Sequence, residues 1–281
     1  MKTARVIGPV LFLLSFVANA AELEQRTLKA WDEYIEAAKD RMHDRLRPGA
    51  TFLWLDEVPD RRAKVHGGEI LVEPVVAHRP KRAPSGLIHD WIGASFIPNA
   101  TLDEVVAAVR DYNRYKDVYR PGVVGSETLD RDGSGDRYAL VLMNKALFLK
   151  AALHGVFESS YFLVDSRRAY SVTRTIHMQE IQGYGGAEEH KIAENQGTGF
   201  IWRLASISRF EEADGGVYIE LEALALSRDI PLSLRWLVEP IVHRVSRDSL
   251  TTSLRQAGNA AHSSGELAWS TEHRGTGQHG Q

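Results

Sequence analysis

From Val123 to Ser227 the chain reads as strand after strand, with no helical stretch between them to carry a parallel crossover. The segments Val123–Leu129, Arg137–Lys145, Ala152–Val164, Ala169–Ile181, Gly199–Glu211 and Val217–Ser227 alternate in polarity or are rich in β-branched and aromatic residues. Parallel neighbours need a connection of a dozen or more residues, usually a helix, whereas antiparallel ones need only a turn. Asp130-Arg131-Asp132-Gly133 and Asp214-Gly215 are such turns. The sheet is therefore expected to be antiparallel. One long glycine-containing loop, Gly183 to Gly197, interrupts it.

The segment beyond the last strand completes the fold class. Pro231 introduces an apolar helix whose stripe is Leu234, Leu237, Val238, Ile241, Val245 and Leu254; Pro240 should kink it and Gly258 end it. One sheet can cover such a helix only by curling around it. A curled sheet and a kinked helix rarely meet along their whole length, so an apolar gap is expected between them. The fold class is α+β, a curved antiparallel sheet gripping a long C-terminal helix. The tail from residue 258 on, rich in Gly, Ser, Thr and His, is expected to be disordered.

Ahead of the sheet, Gly86 opens a β-rich stretch, Leu87 to Ile97, stopped by Pro98. Thr101-Leu102-Asp103-Glu104 is a capping box, and the helix it starts should run from Leu102 to about Tyr119. Residues 22–85 read as an extension: an amphipathic helix over Glu22 to Leu46 with Trp31, Tyr34, Ala38 and Met42 on one face, then strand-like runs Thr51–Leu55 and Glu69–Val76. Ala77 to Ser85 is a basic, proline-containing connector.

The first 21 residues have a basic start at Lys2 and Arg5, an apolar run from Val6 to Val17, and Ala18-Asn19-Ala20 before Ala21. That is the layout of a secretory signal, and a span would need about 20 apolar residues. The expected location is periplasmic or secreted. The chain has no cysteine, so its stability must come from its core. Net charge is −3, with no dense basic face for a nucleic acid, and no later stretch is apolar enough for a transmembrane segment.

This order of elements resembles the START-like superfamily, also called SRPBCC or the helix-grip, polyketide-cyclase and lipid-transport fold. The resemblance covers roughly residues 86–257. It rests on Gly86-Leu87-Ile88-His89-Asp90-Trp91, Asp111-Tyr112-Asn113-Arg114-Tyr115, Trp202-Arg203-Leu204 and Leu226-Ser227-Arg228-Asp229-Ile230-Pro231. The two short helices usual after the first strand read here as one. The resemblance implies a hydrophobic pocket for a lipid, sterol or polyketide, in proteins that bind or in enzymes of the cyclase or hydrolase type. The leading expectation is an apolar small molecule or lipid as partner; a rival is an envelope interaction protein whose cavity is filled and which docks a protein partner through residues 22–85.

Alternation places charges among apolar neighbours. Arg203 and Glu222 are candidate anchors for the polar end of a ligand, with Trp202, Trp236 and Ile241 packing its body. They could equally be cross-strand pairs on a solvent face, the better reading for Arg174 and Glu220. His154 and Glu158 share a face but lie about 13 Å apart along a strand, too far for acid–base coupling. His89 and Asp90 point to opposite faces. Asp130, Asp132 and Asp136 lack the closing glutamate of a calcium loop. No dinucleotide, phosphate-loop or zinc motif is present, and no metal or cofactor is expected.

Overall fold

A computed structural model describes residues 25–75, 80–132, 135–144, 151–196, 201–229 and 243–261. Residues 1–24, residues 230–242 with Trp236 and Ile241, and residues 262–281 lie outside the described residues.

The extension contributes α1 (Gln25–Asp44), a 3₁₀ turn at Trp54–Glu57 and α2 (Arg61–His66). Strands β1 (Leu71–Pro74), β2 (Lys81–Ala83) and β3 (Gly86–Pro98) come next, then α3 (Leu102–Val109) and α4 (Tyr115–Val118). The remaining strands are β4 (Val123–Asp132), β5 (Gly135–Asn144), β6 (Ala151–Asp165), β7 (Arg168–Gln182), β8 (His190–Lys191), β9 (Ile201–Ala213) and β10 (Gly216–Arg228). A helix, α5, occupies residues 243–261; it runs through Gly258, where its end was expected, because Ala260 and Ala261 are buried and Ala261 joins the core.

All ten strands form one curved antiparallel sheet in the order β1-β3-β10-β9-β7-β6-β5-β4, with β2 on β3 and β8 on β7. The first long strand thus lies beside the last, pairing from Gly86–Arg228 to Pro98–Gly216. On one face, Leu250, Leu254, Ala257 and Ala261 of α5 pack with Trp91, Ile97, Phe210 and Ile219. Gly93 admits the helix: a Cβ there would stand 2.8 Å from Leu254 Cδ1. The opposite face is covered by the extension, where Trp31, Tyr34, Ala38 and Met42 of α1 join Ile88, Ile207, Tyr218 and Leu224. Both faces are buried, and each has its own core.

The capping box forms as expected, Glu104 N–H donating to Thr101 Oγ1 at 3.3 Å and Thr101 N–H to Glu104 Oε2 at 2.9 Å. The helix it opens is shorter than expected. It stops at Arg110, and a 3₁₀ turn at Tyr112–Arg114 separates α3 from α4, so the two short helices are distinct rather than merged. Tertiary contacts outweigh helical periodicity here. Arg110 turns toward Asp136, and the Tyr112 ring stacks on Tyr138 at 3.8 Å.

Thr51–Leu55 is not a strand. Trp54 and Leu55 turn so that both amides donate to the Glu220 carboxylate, at 3.0 and 2.8 Å, which takes them out of any ladder. Among the register shifts in the ladders, two modify the expected alternation near the middle of the sheet. One lies between Leu226 and Ser227 against β9, and another opposite Val156 and Phe157 in β7. Each sends the residues beyond it to the opposite face.

Candidate functional site

Between the sheet and α5 lies a space of about 720 Å³, with α3 and α4 along one side. Its apolar wall includes Leu140, Leu153, Leu204, Phe210, Ile219 and Leu221. Tyr115, Tyr119 and Tyr138 form an aromatic side, where Tyr115 and Tyr138 are held by stacking and edge contacts. Helix α5 contributes Val245, Ser249, Leu254 and Ala257.

The alternation of burial along β9 and β10 shows how the two faces differ. Ala205, Ile207 and Arg209, beneath the extension, are buried, while Leu204, Ser206 and Ser208, toward α5, are only partly so. Likewise Glu220, Glu222 and Leu224 are buried, and Leu221, Ala223 and Ala225 are not fully covered. Neighbours on one strand thus meet a packed core on one side and open space on the other.

The sheet surface in this space carries hydroxyls. Ser171 of β7 pairs with Ser208 of β9, and Thr173 with Ser206. On β6, Tyr161 stands beside Ser171 and Ser159 beside Thr173, with Ser159 and Thr173 hydroxyls 2.8 Å apart. Tyr161 in turn lies 3.2 Å from the Tyr112 hydroxyl, which also reaches Asp136 at 3.0 Å. Asp136 is fully buried and takes a bidentate pair from Arg110, both bonds 2.8 Å, with Arg131 at 3.2 Å. Burial alone would raise its pKa, but Arg110 and Tyr112 hold the carboxyl below the usual range. This is an arginine-stapled carboxylate, not a cation loop. Among the described residues no group of three or more His, Asp or Glu stands close enough to hold a metal ion.

The far face holds an ionic cluster. Arg209 pairs with Glu222 at 2.7 Å and stands 3.6 Å from Glu220. Arg41 of α1 reaches Glu222 at 2.9 Å and Asp90 at 3.3 Å, and the Tyr34 hydroxyl donates to Asp90 at 2.8 Å. Burial, then the nearby Glu222 charge, push the Asp90 pKa up to about 7. Burial also raises Glu220, against Arg209 and the amides of Trp54 and Leu55.

Three of the residues expected to hold a ligand are placed elsewhere. Glu222 faces α1, and its partners are Arg41 and Arg209. Trp202 belongs to the core under the extension, because the β9 bulge puts it on the face opposite Leu204. Arg203 leans over the end of the long loop, donating to Asn195 Oδ1 at 2.9 Å and pairing with Glu194 at 3.2 Å. Trp236 and Ile241 lie outside the described residues. Glu220, expected on a solvent face, is fully buried, since the extension makes that face an interior. Arg174 is exposed and pairs with Glu158 at 2.9 Å, the cross-strand arrangement expected of it.

Sequence reasoning misses the hydroxyl-bearing surface. Its signal is present in Ser171-Val172-Thr173 and Ser206-Ile207-Ser208, where small hydroxyls alternate with β-branched residues that point to the other core.

No protein-family model and no curated protein matches the chain. Several solved structures are similar in three dimensions. A STAR-related lipid transfer protein fragment from Xanthomonas axonopodis has 16% identity and a TM-score of 0.43, covering 68% of this chain and 98% of its own. Human STARD10 has 8% identity and a TM-score of 0.45, covering 82% and 87%. The Zhui aromatase/cyclase of Streptomyces sp. R1128 has 12% identity and a TM-score of 0.39, covering 62% and 94%. From its own strand order, with β3 beside β10, two short helices after β3 and α5 across the curved sheet, the chain has a helix-grip α+β fold.

Proposed function

We propose that this protein is exported, to the periplasm or beyond, and holds an apolar small molecule of the lipid class between the sheet and α5. The observation that carries this reading is the unequal burial of β9 and β10: the face under the extension is close-packed, while Leu204, Leu221 and Ala223 toward α5 are incompletely covered. Apolar surface left in that state gains about 25 cal/mol for each Å² that a ligand removes from water. A space near 720 Å³ suits one small amphiphile. Trp236 and Ile241, which precede α5 in the sequence, are proposed contacts for its body.

The test is native mass spectrometry of the full chain expressed with its leader and purified without detergent from the exported fraction. A mass matching cleavage near Ala20, with an added species that extracts into organic solvent, is the expected result. Leu204→Trp, which narrows the space, should reduce the added species while the fold persists. A chain that carries no lipid, and binds no apolar dye at micromolar concentration, would rule the binding role out.

A further inference from the structure

The hydroxyls between sheet and α5 limit the chemistry of what can sit there. Tyr161, Ser171 and Ser208 form one row across β6, β7 and β9, and Ser159, Thr173 and Ser206 a second. Directly opposed side chains on neighbouring strands have Cβ atoms about 5 Å apart, so the two rows make one continuous polar patch. Ser159 and Thr173 satisfy one another, and Tyr161 is held by Tyr112. Among the described residues no hydrogen bond reaches the hydroxyls of Ser171, Ser206 or Ser208. All three line the space, within a wall otherwise built of Leu204, Phe210, Ile219 and Leu221.

Charge is absent from this patch. The charged described residues that border the space are Arg120 and Asp248, and both are exposed at its edge. Two other arginines are committed: the half-buried Arg110 to Asp136, and the buried Arg209 to Glu222 on the other face.

Resting on the binding role proposed above, we propose that the ligand carries an uncharged hydrogen-bonding group, a hydroxyl, ester or ketone, seated on Ser171, Ser206 and Ser208. Three kinds of occupant can be compared. A bare hydrocarbon would cover three hydroxyls and leave them without partners, each at a desolvation cost. A carboxylate or phosphate in the same place would be a buried anion without a cation, which is costlier still. A neutral oxygen function meets groups that can both donate and accept, so it is satisfied whichever role it plays. The remainder of the molecule then lies along the leucines and phenylalanine.

The experiment is displacement of an apolar fluorescent dye from the full-length mature chain by four probes of equal chain length: 1-hexadecanol, methyl palmitate, palmitate and hexadecane. The alcohol and the ester should bind at least about 10-fold tighter than the hydrocarbon and the carboxylate. Ser206→Ala/Ser208→Ala should weaken the alcohol and ester by about 10-fold and leave hexadecane unchanged, with the thermal midpoint of the variant confirming that it is folded. The assignment is overturned if palmitate binds tightest, if the alcohol is no better than hexadecane, or if the double variant weakens all four probes alike. Failure of the dye and of every probe to bind would instead overturn the binding role itself.

Discussion

Arg209 and Glu222 meet at 2.7 Å on adjacent strands with side chains 2% and 4% exposed, sealed beneath a helix from the other end of the chain. In a sheet with one free face this pair would sit in water and contribute little. Here Arg41 and the Trp54–Leu55 turn close over it, and charge becomes part of an interior. The strands thereby separate two chemistries. Along the middle of β9 and β10, Arg209, Glu220 and Glu222 lie under the extension, while Leu204, Ser206, Ser208 and Leu221 lie toward α5.

Removing Glu222 should therefore cost stability and not binding. Glu222→Ala leaves Arg209 buried with only the longer contact to Glu220, at 3.6 Å. Breaking a buried pair on one side destabilises by about 3–5 kcal/mol. Urea denaturation should show a loss in that range, while the affinity for an apolar dye, measured where the variant is folded, stays within about twofold. A selective loss of affinity would return Glu222 to the role of ligand anchor.

Asp90 and His89, neighbours on opposite faces of β3, should tilt the pH profile in opposite directions. Asp90 titrates near 7 in the folded chain against 3.8 otherwise, so between those values the folded form keeps a proton the unfolded form has released. Stability from this site is present at low pH and falls as pH rises through the window. His89, lowered to about 4 by burial and by His243, stays neutral while the unfolded chain gains a proton below 6.5. Its contribution rises with pH from about 4 to 6.5. Asp90→Asn should make the slope of stability against pH more positive by up to one proton over the interval from about 4 to 7. Denaturation midpoints across that interval read this directly, and an unchanged slope would show that Asp90 is ionised throughout.

Gly93 should be intolerant of even a methyl group. Its added Cβ would fall 2.8 Å from Leu254 Cδ1, 3.0 Å from Val72 Cγ2 and 3.1 Å from the Leu71 carbonyl. Overpacking of this kind costs about 1–3 kcal/mol. Combining Gly93→Ala with Leu254→Ala should cost less than the sum of the two, since the shorter side chain vacates the contested space. Strict additivity in thermal or urea melts would mean that α5 does not rest on β3 at this point.

The extension should not be dispensable. α1 and the Trp54–Glu57 turn cover Ile88, Ile207, Tyr218 and Leu224 together with the ionic cluster, and β1 and β2 are strands of the same sheet. Deleting residues 22–85 should yield insoluble chain, or a species that binds apolar dyes strongly and lacks a cooperative melt. A soluble, cooperatively folding remainder would favour a separate docking module.

Much of this architecture is legible from local rules. The turns at Asp214-Gly215 and within Ser166–Arg167 leave no room for a crossover, so antiparallel pairing is dictated by connection length. Thr101 and Glu104 announce their helix through a reciprocal bond that needs no tertiary partner. The faces are another matter. Alternation says that Leu204 and Trp202 share a side, and one extra residue in β9 reverses it. The burial of Glu220 depends on Trp54 and Leu55, about 165 positions away. Charge on a strand looks the same in sequence whether water or a helix will cover it. Pattern alone therefore points to Trp202, Arg203 and Glu222, and passes over the less conspicuous serines.

Finally, Arg41 and Glu222 are 181 positions apart, and β3 waits for β10 before its ladder is complete. The β3–β10 ladder and the Arg41–Glu222 contact cannot form until the last strand has been made, and such distant pairing is intrinsically slow. The strands from β4 to β9 can pair before that point, so the seam between β3 and β10 is the last part of the sheet to close.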